Sequence, residues 1–413
     1  MITKKKKLPF GEFVILMAMM TSILALAIDC MLPAFNVMTV DLHLNDPKDI
    51  QLIVSFMFLG LGVGKLFFGS ITDGYGRRPA VVIGFSIYLV GCLVSLFSEN
   101  LTTMLIGRLL QGFGVAGPAN VSLVLARDLY KGREMARIMS YIMMVFIMVP
   151  VLAPGIGLII LQFSNWRFIF IVFLVAGSAV LVWFLLRQEE TLNKEDRLKM
   201  SISSIFKAFI EVCKIRIALL YTIVIGLTSG AFLAYLKTSQ VIFEVQYGLG
   251  KMFPIYFGGL AIAVGVASFV NGRIVRKYGM SFLSRWALIV IVLSSFFLLL
   301  ISYPYSGHPP LTILLGFLMV KFFCMGIIFG NLSSIAMEPV GHIAGMGAAV
   351  IGSLSTIISV PIGIFIGYQY DGNIYSLIIG FGACCLLSLM LIKLFDHENL
   401  NWLQRDEIKT IVD

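Results

Sequence analysis

Charge is what this sequence has least of. Asp, Glu, Lys and Arg make up 13% of its 413 residues, against 59% hydrophobic, and the mean hydropathy is +0.96. A soluble domain carries about 25% charged residues, so this balance belongs to the membrane class. Histidine is also rare: His43, His308, His342 and His397 fall in loops or tails, far apart in sequence. No Ser/His/Asp grouping, metal-ligand spacing or Gly-x-x-x-x-Gly-Lys-Ser/Thr phosphate loop occurs, which argues against a membrane enzyme, a metal site and a nucleotide-driven pump. No cofactor is expected. The six cysteines (Cys30, Cys92, Cys213, Cys324, Cys384, Cys385) lack disulfide or metal spacing, and five lie in apolar runs. They read as small buried hydrophobes.

What the chain does have is long apolar blocks. A helix needs roughly 20 such residues to cross the hydrocarbon core. On that rule twelve spans are expected: 13–36, 50–71, 80–98, 101–124, 137–162, 167–187, 217–238, 252–272, 282–302, 310–332, 343–368 and 374–394. Closed barrels are excluded, because their strands alternate over about 10 residues. Lys4 to Lys7 resemble a signal-peptide n-region, but the run that follows is too long and lacks a small-residue cleavage site, so an uncleaved anchor is expected. The net charge of +9 does not indicate nucleic acid, because its placement encodes topology. With a cytoplasmic N-terminus, inner segments hold 24 of the 31 Lys and Arg residues, and outer loops hold only Lys48, Arg167 and Lys251. That asymmetry predicts an even number of spans with both termini inside, in a cytoplasmic (inner) membrane.

Residues 188–216 form the one long polar connection. They divide the chain into a six-span bundle at 1–187, a cytoplasmic linker, and a six-span bundle with a short tail at 217–413. The loop after the second span reads Gly69-Ser-Ile-Thr-Asp73-Gly74-Tyr75-Gly76-Arg77-Arg78-Pro79, and the loop after the eighth reads Gly272-Arg273-Ile-Val-Arg276-Lys277-Tyr278-Gly279. Both halves thus place Gly ahead of a Tyr-Gly pair beside basic residues, the trace of an internal repeat. Transporters are often built from such repeats, with solute sites at the midplane between them. The two-half layout argues against a channel.

The segment Gly69, Asp73, Gly76, Arg77, Arg78 resembles the major facilitator superfamily signature Gly-x-x-x-Asp-x-x-Gly-Arg-Arg/Lys, with Gly74 in place of a basic residue common there. Further segments resemble one branch, the bicyclomycin-resistance (Bcr/CflA) drug:proton antiporters. They are Leu26-Ala-Ile-Asp29-Cys-Met-Leu-Pro33, Arg108-Leu-Leu-Gln111-Gly112-Phe-Gly114, Arg127-Asp128-Leu129-Tyr130, Ala153-Pro154-Gly155-Ile-Gly157, Trp166-Arg167, Phe232-Leu-Ala-Tyr235 and Ala344-Gly345 to Gly352. The resemblance implies an all-α membrane fold of two pseudo-symmetric six-helix bundles. It also implies a proton-coupled carrier, working as a monomer in the bilayer, with a small-molecule solute and protons as its partners. In that fold the first, fourth, seventh and tenth spans line the cavity.

Ionisable groups at bilayer depth cost about 2.5–3.5 kcal/mol or more on insertion scales and are functional candidates. Five are expected there: Asp29, Lys65, Arg108, Lys237 and Lys321. Asp29 is the only acid well inside a span and the candidate for proton coupling. Arg108 is expected as its electrostatic partner, by resemblance. Lys65 and Lys237 lie toward span ends, where snorkelling is the favoured reading, although Lys237 is kept among candidate cavity residues. Lys321, near mid-span, is the expected binding determinant. With Gln111, Phe232 and Tyr235 these complete the candidate cavity. One acid among several bases suits neutral, zwitterionic or anionic solutes, including drugs, siderophores and organic acids. By resemblance, Asp73 and Arg77 meet Arg127 and the start of the eleventh span in a latch that also includes Gly69, Gly76, Arg78 and Asp128. Pro150, Pro154, Gly155 and Gly157 are read as a hinge in the fifth span.

Overall fold

The computed structural model describes residues 8–130, 132–193, 195, 197 and 202–396. The basic Lys4–Lys7 segment, parts of the linker, and the tail with His397 lie outside the described residues. Every regular element among the described residues is helical. In order these are α1 (Phe10–Asp29), α2 (Phe35–Asp41), α3 (Leu52–Gly74), α4 (Arg77–Leu96), α5 (Leu101–Leu129), α6 (Gly132–Phe163) and α7 (Arg167–Arg187). After them come α8 (Ile202–Lys214), α9 (Arg216–Gln240), α10 (Phe253–Tyr278), α11 (Met280–Ser302), α12 (Leu311–Met337), α13 (Ala344–Tyr368) and α14 (Tyr375–Asp396). Among the described residues, twelve segments are long and apolar enough to cross a membrane; α1 and α2 together make one, and α8 makes none.

The first span departs from the expected single run at 13–36. It is broken: α1 stops at Asp29, a 3-10 turn covers Leu32–Ala34, and α2 carries the chain on to Asp41. Pro33 supplies the cause, since its ring removes a donor and disfavours helical backbone in the residue before it. Pro150 and Pro154, by contrast, sit inside an unbroken α6. The seventh span also outruns its expected end at 238, continuing from α9 into a π-helical stretch at Val241–Gln246.

In lipid there is little hydrophobic force between helices, so small residues that admit backbones closely dominate the contacts. A Cβ at Gly112 of α5 would stand 1.9 Å from the Met57 carbonyl oxygen of α3. Position 112 therefore accepts glycine alone without a shift of backbone. Helices from the first half of the chain meet those of the second along two seams. In one, Gly69 and Gly62 of α3 face Ala349 and Thr356 of α13; in the other, Gly258 of α10 faces Val151 of α6.

The 188–216 segment is more than the polar connector expected of it. Ile205, Ala208 and Val212 of α8 recur at three- and four-residue spacing and are buried. With Leu66 and Ser70 of α3 and Met346, Ala349 and Val350 of α13, Ile205 and Ala208 line one small void, so α8 sits across the α3–α13 seam.

Replacing Gly112 with Val should cost on the order of 3 kcal/mol by overpacking. The expected readout is a lowered Tm of the detergent-solubilised protein and broadened gel filtration, with Gly155→Ala, where no neighbour lies within 4 Å, as the tolerated control.

Candidate functional site

A cavity of 440 Å³ lies between the two sets of helices. Its wall draws on α1, α3 and α6 from one side and α9, α10, α12 and α13 from the other. The expectation that the first, fourth, seventh and tenth spans line it is corrected at the fourth, because α5 contributes no lining residue. The glycines that pull α5 against α3 and α4 set it behind α3, away from the space.

The wall is strongly aromatic. Phe232 of α9 packs edge-on to Phe329 of α12 at 5.6 Å between centroids and against Phe322 at 5.4 Å. Tyr235 stands behind this layer, T-shaped to Phe322 at 4.7 Å and stacked on Phe257 at 6.1 Å. Its hydroxyl is buried with no hydrogen-bond partner among the described residues. Two ionisable side chains line the cavity, Asp29 and Lys65. Asp29 is 4% exposed at the final residue of α1, and no hydrogen bond or ion pair joins it to another described residue.

Arg108 is not the partner of Asp29 that was expected. Its guanidinium donates to the Ala27 carbonyl (2.9 Å), the Ile53 carbonyl (3.4 Å) and Gln111 Oε1 (2.7 Å), and it is fully buried. Gln111 Nε2 in turn donates to the Gly91 carbonyl (3.1 Å) and Ser95 Oγ (2.9 Å). The Arg-x-x-Gln pair thus ties α5 to α1, α3 and α4, with neither residue on the cavity wall. Lys321 is also displaced from its expected place. Helical geometry turns each residue 100° from the last, so with Phe322 facing the cavity, Lys321 points to α14, its Nζ 5.5 Å from the Phe381 ring centroid. Lys237 does not snorkel: it is wholly buried, with Nζ donating to the Gly363 carbonyl at 3.3 Å. It stands beside Gly367 of α13 and Gln51, the residue just before α3. Lys65 lies on the cavity wall. Its signal in the sequence is the stripe Gly62, Lys65, Gly69, one helical face that α13 covers.

Of the residues expected to form a latch, Asp73 and Asp128 gather around Arg77. Its Nη1 donates to the Thr72 carbonyl (2.8 Å) and Asp73 Oδ1 (3.0 Å), and its Nε donates to Asp128 Oδ2 (3.0 Å). Asp73 also reaches the start of α13, where a Cβ on Gly345 would lie 3.4 Å from Oδ2. Arg127 does not join them: it is exposed and makes no ion pair among the described residues. Two residues absent from the expected set complete the cluster. Glu190 accepts from the backbone N–H of Arg77 (3.0 Å) and of Arg78 (2.9 Å), while Thr191 Oγ1 donates to Asp128 Oδ2 (2.7 Å). A carboxylate on the first N–H groups of α4 satisfies orphan donors and complements the helix dipole. Gly76, with φ of +115°, turns the backbone onto it, and a Cβ there would be 2.6 Å from Glu190 Oε2. Gly279, at the matching place in the second half, has φ of +76°. Nothing in a linker's composition marks Glu190 as a cap, because its partner is 113 residues away. Of the hinge residues, Pro150 lines the cavity and a Cβ on Gly157 would stand 2.1 Å from the Cys30 carbonyl oxygen, so α6 presses on α1 beside Asp29. Pro154 and Gly155 lie in the same turn, inside the continuous helix.

A twelve-span helical protein with a cavity between its two halves has the architecture of a secondary transporter. The chain belongs to the Major Facilitator Superfamily, whose family model matches residues 14–364. It is 29% identical over 357 residues to the MFS-type transporter YdgK of Bacillus subtilis, covering 85% of this chain and 88% of that one. It is 27% identical to a bicyclomycin resistance protein homolog of Haemophilus influenzae (94% and 97% covered) and 27% identical to multidrug resistance protein D of Escherichia coli (79% and 81%). Among solved structures, it superposes on the human organic anion transporter MFSD10 with a TM-score of 0.66 at 17% identity, over 94% of this chain and 100% of that one. It superposes on a D-xylose-proton symporter with a TM-score of 0.72 at 12% identity, over 92% and 97%. The membrane-spanning transporter fold is thereby established.

Replacing Asp73 with Asn, or Glu190 with Gln, should lower turnover about tenfold by weakening charge-assisted bonds at the latch, with solute affinity changed less than about threefold. Comparing exchange rates with equilibrium binding checks this. Loss of affinity with intact turnover would assign these residues to the solute instead.

Proposed function

We propose that the protein is a proton-coupled carrier that exports a small neutral, zwitterionic or anionic organic solute by alternating access. The observation that carries this reading is Asp29, an acid on the cavity wall at the break in the first span, with no ion-pair partner among the described residues. A carboxylate so placed responds to whatever enters the cavity: low dielectric favours its neutral form, and water or an adjacent cation favours the ionised one. Export is supported by relatives whose names refer to bicyclomycin and multidrug resistance. The charge asymmetry of the loops supports an inner-membrane orientation with both termini cytoplasmic. On this reading residues 1–187 and 217–413 rock as two bundles joined by 188–216. The Arg77 cluster holds the cytoplasmic side closed, and the Pro150–Gly157 stretch of α6 gives way beside Asp29. The carrier works as a monomer.

Reconstitution in proteoliposomes with an imposed pH gradient tests it. Wild-type transport should follow the gradient. Asp29→Asn should lose gradient-driven accumulation by at least about tenfold while retaining solute binding, since the amide cannot carry the proton. Transport indifferent to the gradient in the wild type would overturn the reading.

A further inference from the structure

Lys65 is a lysine in the middle of a membrane helix, placed on a cavity wall, with no hydrogen bond or ion pair to any described residue. A cation at that depth is costly, and such residues normally pair with one another or with backbone carbonyls. Lys237 does so through the Gly363 carbonyl, and Arg108 through three acceptors. Lys65 stands apart from both.

Its surroundings leave room around the side chain. Across the seam lies Gly352 of α13, where a Cβ would come within 3.5 Å of Lys65 Cδ and 3.8 Å of Nζ. A methyl there would make ordinary contact with the aminoalkyl chain and a branched residue would crowd it, so glycine leaves space beside Lys65 on α13. The hydroxyls nearest along α13 are already committed as donors: Ser355 Oγ and Thr356 Oγ1 both donate to the Gly352 carbonyl, at 3.2 and 2.6 Å. They can accept from a solute but bring no free proton to it. On this part of the wall the strong donor is the ammonium of Lys65, with three N–H groups and no acceptor capacity.

The two cavity charges also lie at different depths. Lys65 is nine residues from the end of α3 at Gly74, about 14 Å at 1.5 Å per residue. Asp29 is nineteen residues from the start of α1 at Phe10, about 28 Å by the same measure. Both of those helix ends lie at the face where α1 begins and α14 ends, so the cation is nearer that face and the acid deeper. Phe232, Phe322 and Phe329 line the same cavity as these two charges.

We propose that Lys65 is an anion-binding residue of the solute site, and that the cavity takes aromatic solutes bearing one carboxylate, which Lys65 and the space left by Gly352 receive while the ring lies against the phenylalanines. The proposal rests on the transport reading above and narrows its solute class. A carboxylate held there leaves the acid on α1 uninvolved, so anion recognition and proton coupling reside on separate side chains. A zwitterion fits with its cationic end toward Asp29.

The test is equilibrium binding to the purified, detergent-solubilised protein at pH 7. Its ligands are three matched pairs: benzoate and benzamide, 2-naphthoate and 2-naphthamide, 9-anthroate and its amide. Wild type should prefer the carboxylate in at least one pair by about tenfold, the scale of a charge-assisted bond gained. Lys65→Met should abolish that preference and leave amide binding within about twofold, while Lys65→Arg restores it. Gly352→Val, which pushes on the lysine without altering charge, should reduce it. Monodisperse gel filtration of each variant guards against misfolding, and the arginine variant keeps the test alive if the methionine variant fails to fold. No preference in any wild-type pair, or a preference surviving in Lys65→Met, would overturn the proposal. Asp29→Asn separates the two readings: it should retain the carboxylate preference while losing gradient-driven transport. A preserved preference with gradient-independent wild-type transport would remove the proton coupling and leave the anion site standing.

Discussion

The arrangement depends on how the broken end of α1 is satisfied. A helix that ends inside the bilayer leaves carbonyls without intrahelical donors, and lipid offers none in exchange. Pro33 enforces such an end within the first span, and Arg108 Nη2 answers it by donating to the Ala27 carbonyl in the last turn. A cation at a helix C-terminus also meets the negative end of the dipole. Arg108 therefore spends its charge on backbone, and Gln111 braces it from α4 through Gly91 and Ser95. Because the guanidinium is occupied in this way, Asp29, two residues past Ala27, has no cation fixed to it among the described residues. The same bond that permits the break leaves the acid open to the cavity.

Twelve spans, their approximate limits and the turn at Gly69–Pro79 were all legible in the sequence, because length of apolar run and glycine spacing are local properties. The direction in which a side chain faces was less so. Lys321 lies off the cavity wall beside Phe381, one residue of helical rotation from Phe322, which faces the cavity. Lys65 was read from its distance to a span end. Its position on the stripe with Gly62 and Gly69 carried the better information, since small residues mark the side another helix covers. Arg108 was assigned to Asp29 because opposite charges in a membrane invite pairing, and the competing claim of an orphaned carbonyl needs the break at Pro33 to be recognised first. Glu190 and Thr191 had no local signal at all. Their partners lie on other helices far along the chain, and a carboxylate in a polar linker is ordinary until the end of α4 is seen beside it.

The two halves repeat their backbone more faithfully than their chemistry. Gly76 and Gly279 take positive φ at equivalent turns, which permits the same tight reversal between helices. Around the first turn, carboxylates from Asp73, Asp128 and Glu190 surround Arg77 and its backbone N–H. Around the second, Arg273 and Lys277 stand over the Phe269 and Tyr278 rings instead. Cation–π contacts at exposed sites are worth about 0.5–1 kcal/mol, less than a network of charge-assisted bonds. The pseudo-symmetric scaffold is therefore held unequally, with the tighter grip on the half that carries Asp29.

The linker helix α8 gives that scaffold a further property. By lying across both α3 and α13, it makes their separation a wetting event: Ile205 and Ala208 would lose their seat between Leu66 on one helix and Val350 on the other. Exposing such side chains to water costs a few kcal/mol, on the order of a modest conformational bias. The connection between the halves is thus held to both of them by apolar contact, and any opening between α3 and α13 would carry the cost of exposing it.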